Sequence, residues 1–332
     1  MKTLMKTAAL VLALTASGSA HAATCVGVTF GAAFDGSYTC NDVGTPTGVV
    51  APLGGLTFLD SNTLLIGGSA NNGAGYIAQI ALTRDMSNHI IGFSGPSTLF
   101  ATAPNIDGGL TYGPGGVLFA TGYPNNTLMQ FLPGSTMPDR IDTLAANLGS
   151  VGSIVFVPPG FAGAGDAKLL SYNQGNFVDL TLTPDGFGTY DIATGPTLAT
   201  LGGGPEGAVY IDGSNAGFGG IDSLLVSEWG AGLVGAYQLD AFGNPIVATR
   251  QDFLTGLGGA EGALIDPLTG DFLFSTFGAG NSLFVISGFQ APPPPGGVPE
   301  PATWTMMLLG FGFIGGAMRS ARRRSRPAAL YA

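Results

Sequence analysis

One short pattern recurs along the middle of this 332-residue chain and limits what it can become. A Gly-rich turn leads into a brief apolar strand with an anchor at Phe58, Tyr112, Phe156, Tyr210 and Ile265, spaced 54, 44, 54 and 55 residues apart. Strand-built periods of about 40 to 55 residues are the signature of propeller blades. Each unit then offers a second strand (Leu64, Val117, Leu169, Leu224 and Phe272 open them) and a third (76–82, 128–132, 177–182, 233–239 and 283–289), several with the alternation of a half-buried strand. A fourth, at 98–101, 143–146, 197–199 and 252–254, is found in only four units.

The missing strand must come from elsewhere. Residues 48–54, around Val49 and Val50, precede the first anchor much as residues 197–202 precede a later one, so they are expected to pair beside 283–289 and complete the last blade. Such a closure leaves no unpaired blade edge. The expected fold is therefore all-β: a single propeller of five four-stranded blades over residues 23–290, closed by an N-terminal strand, with six blades or an open sandwich as alternatives. Composition agrees. With 56 Gly and 10% charged residues the chain is poor in helix formers, while its 45% hydrophobic content is too high for disorder.

Charge excludes one class of partner. Between residues 23 and 297 the basic side chains are Arg84, Arg140, Lys168 and Arg250, against twenty Asp and Glu, which leaves the body at −16. A body this acidic repels nucleic acid, anionic lipid headgroups and acidic polysaccharide unless divalent cations bridge them, which excludes nucleic-acid binding.

Both termini read as processing signals. Residues 1–22 carry Lys2 and Lys6, an apolar core and an Ala20-His21-Ala22 cleavage site, the layout of a signal peptide. Export meets an oxidising compartment, so Cys25 and Cys40, the only cysteines, are expected to form a disulfide, with two free thiols as the alternative. A Pro/Gly-rich linker over 291–298 precedes Pro299-Glu300-Pro301. Trp304 then opens an apolar run over 304–318, predicted as a transmembrane helix, and Arg319, Arg322, Arg323, Arg324 and Arg326 follow. Arginines flanking a span stay cytoplasmic, which places the body on the other side.

This tail, over 299–326, resembles the sorting signal of PEP-CTERM proteins of the proteobacterial subtype, with Thr305 where Ala is usual. The resemblance implies export across an inner membrane, transient anchoring there with the body facing the periplasm, recognition of Pro299, Glu300 and Pro301 by an exosortase, and delivery to the cell surface or beyond. It also implies a setting of exopolysaccharide and other envelope components. A permanent single-span anchor is the plainer alternative, although 304–318 is shorter than the ~20 apolar residues a stable span needs.

Candidate chemistry in the body is sparse. His89, the one histidine left after signal removal, has no Gly-x-Ser-x-Gly elbow to accompany it and reads as a solvated turn residue near Asp85. Glu206 and Glu261 each stand four residues before an inner-strand anchor, with Asp107 displaced by one. First strands of a propeller line its axis, so these three carboxylates should converge at one mouth, where hard oxygen ligands suit Ca²⁺. Turn capping by the same carboxylates is the structural alternative. Pro205-Glu206-Gly207 also weakly resembles gluconolactonase and NHL-type propellers, in which a Glu so placed can ligate a divalent metal. Glu228 and Trp229 align with turn residues Asn71, Asn125 and Asn173, a set that could stack on and hydrogen-bond a sugar or simply build turns. The sequence thus favours a binding or structural component of the exopolysaccharide-associated envelope without catalysis, with a Ca-dependent lactonase or esterase as the alternative.

Overall fold

The computed structural model describes residues 23–145, 148–278 and 280–291. The expected signal peptide (1–22), the sorting signal with its 304–318 helix and Arg-rich tail, and all of the 291–298 linker but Ala291 lie outside those residues. Among the described residues no helix is long and apolar enough to cross a membrane.

Three N-terminal strands, β1 (Ala23–Thr24), β2 (Thr29–Phe30) and β3 (Thr39–Gly44), come first. Blade 1 follows as β4 (Leu56–Asp60), β5 (Thr63–Gly68), β6 (Tyr76–Arg84) and β7 (Ile90–Thr102). Blade 2 is β8 (Ile106–Tyr112), β9 (Leu118–Gly122), β10 (Thr127–Phe131) and β11 (Arg140–Thr143). Blade 3 is β12 (Val151–Phe156), β13 (Ala167–Ser171), β14 (Asn176–Pro184) and β15 (Tyr190–Thr200). Blade 4 is β16 (Pro205–Ile211), β17 (Ser223–Glu228), β18 (Leu233–Gln238) and β19 (Gln251–Thr255). Blade 5 is β20 (Ala260–Ile265), β21 (Phe272–Thr276) and β22 (Leu283–Ser287), with β3 as its fourth strand. Each blade is an antiparallel meander, and the inner strands β4, β8, β12, β16 and β20 contact one another in a closed circuit. The body is a five-bladed β-propeller.

The ring is held by its seams. Strand side chains alternate between two faces, so Leu64 and Ile66 of β5 pack with Leu273, Leu283 and Val285 of blade 5, whereas Leu65 between them packs with Leu110 and Leu118 of blade 2. The same alternation gives five separate apolar clusters, one per pair of neighbouring blades. Both faces of a second strand are buried, which is why these strands read as continuous apolar runs.

Closure by the N-terminus is real, but a different segment performs it. Residues 39–44 pair with β22 (Cys40 opposite Ile286, Asn41 opposite Val285), while the expected segment around Val49 and Val50 forms no strand. Residues 48–54 instead carry the chain from the outside of blade 5 to the axis, held by Ser69 N–H donating to the Val50 carbonyl (2.6 Å) and Ala70 N–H to that of Pro52 (3.0 Å). Their likeness to residues 197–202 is that of two connectors, each with a buried leucine, Leu53 and Leu201. The fourth strand of blade 2 also starts earlier than expected, at Arg140.

Two further strands thicken the closure. β1 adds to β3 and β2 adds to β19, so the N-terminal segment spans blades 5 and 4. The Cys25–Cys40 disulfide is formed and ties β1 to β3. Phe34, Tyr38, Phe218, Phe253 and Phe289 pack beneath it, with the Tyr38 and Phe289 rings 4.5 Å apart, so the first and last parts of the body share one aromatic cluster.

Candidate binding site at the propeller axis

Inner strands reach the axis through irregularities in their ladders. In β8 the register slips between Ile106 and Leu110, in β16 between Pro205 and Gly207, and in β20 between Ala260 and Ala263. A bulge leaves a residue unpaired and re-aims its side chain. The residues freed here are Asp107, Glu206 and Glu261, and all three are buried. Each offers a carboxylate oxygen that lies within 4.8 Å of the other two, as the sequence spacing predicted.

Glycines make the room. Where blades 4 and 5 place Glu206 and Glu261, blades 2 and 3 place Gly108 and Gly152. A Cβ on Gly152 would sit 2.6 Å from Glu206 Oε2, and one on Gly108 would overlap the Glu206 backbone. A larger residue at 152 would take the space of the carboxylate, and one at 108 would displace the strand that carries it.

Among the described residues the trio has no counter-charge, and no Lys, Arg or His lines the mouth. Burial pushes the Asp107 carboxyl up to about 7, against partial relief from hydrogen bonds with Glu261, Asn71 and the Gly108 backbone. Burial and the neighbouring carboxylates raise Glu206 and Glu261 well above the usual range. Asp107 Oδ2, Glu206 Oε2, Glu261 Oε1 and Asn71 Oδ1 are all buried without a hydrogen-bond partner. An orphaned buried acceptor costs about 1–3 kcal/mol. Turn capping therefore does not account for these oxygens, whereas a hard cation taking several oxygens at 2.3–2.6 Å would satisfy them together.

Above the carboxylates lies a cavity of about 190 Å³ walled by Asn71, Tyr123, Tyr172, Trp229 and Phe277, one residue from each blade. The four aromatics form a chain of edge contacts, with Tyr123–Tyr172, Tyr172–Trp229 and Trp229–Phe277 centroids 6.4, 5.9 and 6.1 Å apart. Trp229 is fixed by its indole N–H donating to the Phe277 carbonyl (3.2 Å).

Several candidates fall elsewhere. Glu228 does not join Trp229: it ends β17 inside blade 4, bonded by Arg250 (2.8 Å) and by the Tyr237 hydroxyl (2.6 Å). Asn125 and Asn173 are exposed outside the cavity, and Tyr123 and Tyr172 take their place in the wall. Those tyrosines and Phe277 were missed because the comparison of turns followed asparagines. A usable signal existed, since each stands one or two residues beyond a second-strand hydroxyl (Thr121, Ser171, Ser275), as Trp229 does beyond Ser227. Thr121 shows what that hydroxyl belt does: it accepts from Gly109 N–H (2.9 Å) in its own blade and donates to the Gly152 carbonyl (3.0 Å) in the next. His89 is more than a solvated turn residue, because its Nδ1 lies 2.7 Å from buried Asp271 across the seam between blades 1 and 5.

Comparison with known proteins locates the family signal at the C-terminus. The PEP-CTERM protein-sorting motif matches residues 297–324, so the chain carries that motif, as the tail's resemblance indicated. The motif implies an exported protein with a C-terminal membrane-anchoring sorting signal processed by an exosortase. No curated protein matches the chain. Among solved structures, an auxiliary nutrient binding protein from Bacteroides thetaiotaomicron is similar at 13% identity and a TM-score of 0.44, covering 80% of this chain and 69% of its own. A virginiamycin B lyase from Staphylococcus aureus is similar at 15% identity and a TM-score of 0.41, covering 75% and 99%. Likeness this distant carries no role across.

Proposed function

We propose that this protein is a surface-delivered binding propeller whose axial mouth holds Ca²⁺ and, through its aromatic wall, a sugar ring of the surrounding exopolysaccharide. Removal of the signal peptide, transient anchoring in the inner membrane with the ring in the periplasm, and exosortase cleavage at Pro299, Glu300 and Pro301 deliver it there. The observation that carries the reading is the trio of buried carboxylates without a counter-cation. Asp107, Glu206 and Glu261 would hold the ion and Asn71 would offer a fourth oxygen. Bound Ca²⁺ supplies positive charge and open coordination positions for hydroxyl or carboxylate oxygens of a ligand. Tyr172 and Trp229 then stand where an apolar sugar face can stack.

Thermal unfolding with Ca²⁺ and with a chelator tests this. Ca²⁺ at a hundredfold excess over Kd should add about 2.7 kcal/mol of stability by mass action, and Glu206→Gln should abolish the shift. Stability indifferent to both would overturn the reading. A hydrolase is the second reading, favoured by Asp107, whose carboxyl burial pushes up to about 7 beside the two glutamates that line the cavity. Calcium-dependent turnover of lactones or aryl esters would select it over pure binding.

A further inference from the structure

The face opposite the axial cavity carries a feature that the binding reading leaves unexplained. Turns joining third to fourth strands in blades 1, 3 and 4 (residues 85–89, 185–189 and 240–244) are built alike. In each, the first Asp donates its N–H to the carbonyl four residues on, at His89, Thr189 and Asn244. Its Oδ1 accepts from the N–H two residues on, at Ser87, Phe187 and Phe242, each at 2.8 Å. The acidic groups are thus turned inward onto backbone, and the tip of each turn is a large apolar side chain. Met86 is 104% exposed, Phe187 87% and Phe242 74%. Blade 2 has a longer connection with the same outcome: Asp139 Oδ2 accepts from Leu132 N–H (2.7 Å) and Met137 stands 62% exposed.

Single exposed apolar residues are ordinary on a protein surface, but four in the same connection of four blades are not scattered. Because strands alternate in direction, every connection after a third strand lies on the face away from the cavity, which is walled by connections after second strands. Blade 5 has no such turn, since its fourth strand is β3. There the chain leaves the ring after β22, with Gln290 N–H donating to Asn215 Oδ1 (2.7 Å) in a connection of the same face. The exit toward the sorting motif and the four apolar tips therefore share one side.

We infer that this face docks on a lipid surface, with Met86, Met137, Phe187 and Phe242 entering the boundary between headgroups and acyl chains while the sorting signal is still attached. The occupant follows from what lies beyond the exit. Thirteen residues, 291–303, separate the ring from Trp304, where the apolar run opens, and even fully extended they reach only about 45 Å. So short a tether raises the effective concentration of the face at the bilayer to the millimolar range, where shallow insertion of four side chains is enough. Contacts set on separate blades suit a fluid surface that each tip can enter alone. The docking does not involve the axial carboxylates and stands independently of the calcium reading.

The test uses the full chain inserted into phosphatidylcholine vesicles, with an environment-sensitive fluorophore on Phe187→Cys, on Phe242→Cys or, as a control on the cavity face, on Asn125→Cys. The native cysteines are paired and do not label. Lipids brominated near the headgroup should quench labels at 187 and 242 at least threefold more than the label at 125, and aqueous iodide should show the reverse order. Equal quenching at all three positions would overturn the inference. Shielding of the 187 and 242 labels that depends on protein concentration and not on lipid would also overturn it, in favour of a second copy of the chain.

Discussion

Acids buried at the edges of the blades have cationic partners, whereas those at the axis, among the described residues, have none. Asp266 in blade 5 meets Arg84 of blade 1 at 2.5 Å, both nearly fully buried, and Glu228 meets Arg250 at 2.8 Å. Asp107, Glu206 and Glu261 are buried as deeply, and no cationic side chain among the described residues lines their site. An unpaired charge in the interior costs several kcal/mol or is neutralised by a proton. The paired acids are what a closed ring needs, and the axial ones lower stability unless something joins them.

That contrast can be broken by experiment. The largest effect is expected at Arg84→Met, which leaves Asp266 uncompensated and should lower unfolding free energy in urea by about 3–5 kcal/mol; a loss under 1 kcal/mol would erase the distinction. Glu206→Gln should act in the opposite direction in metal-free protein, leaving stability unchanged or raising it by about 1–3 kcal/mol, while abolishing the response to Ca²⁺. A fall comparable to that of Arg84→Met would mean that the axial carboxylates are structural.

A pH series sharpens the same point. The axial carboxyls are raised in the folded state, so the native protein keeps protons that the unfolded chain has released. Stability of the metal-free protein is then highest near pH 4 and falls as pH rises toward 7, by about 1.4 kcal/mol per unit for each extra proton held. Saturating Ca²⁺ should flatten or invert that slope. The smallest effect belongs to His89, half-exposed and raised mainly by its hydrogen bond to Asp271. Its contribution is present below pH 6.5 and is lost as pH rises through the folded value, so His89→Gln should cost under about 1 kcal/mol at pH 5.5 and less still at pH 8.5.

Blade number was legible because the anchors mark inner strands, and inner strands are held to one pattern by contact with neighbours on both sides. The carboxylates were legible for the same reason, with Glu206 and Glu261 four residues and Asp107 five residues before those anchors. β3 was not, because an outermost strand with one face in water can be written Thr-Cys-Asn-Asp-Val-Gly, with Cys40 and Val43 as its only apolar side chains. The aromatic wall was hidden because its members differ in type (Tyr123, Tyr172, Trp229 and Phe277) while the asparagines of the same turns repeat, and that repetition marks the turn and not the cavity.

Residues 39–44 precede the first strand of every blade in the chain, yet the strand they pair with ends at Ser287. The circle therefore cannot be completed until almost the whole body has emerged, and contacts this remote in sequence form slowly. Until then β3 keeps an open hydrogen-bonding edge, an invitation to any other extended chain nearby. A partner that holds the first twenty residues of the body would thus act as a latch on assembly, deciding when the last blade may shut.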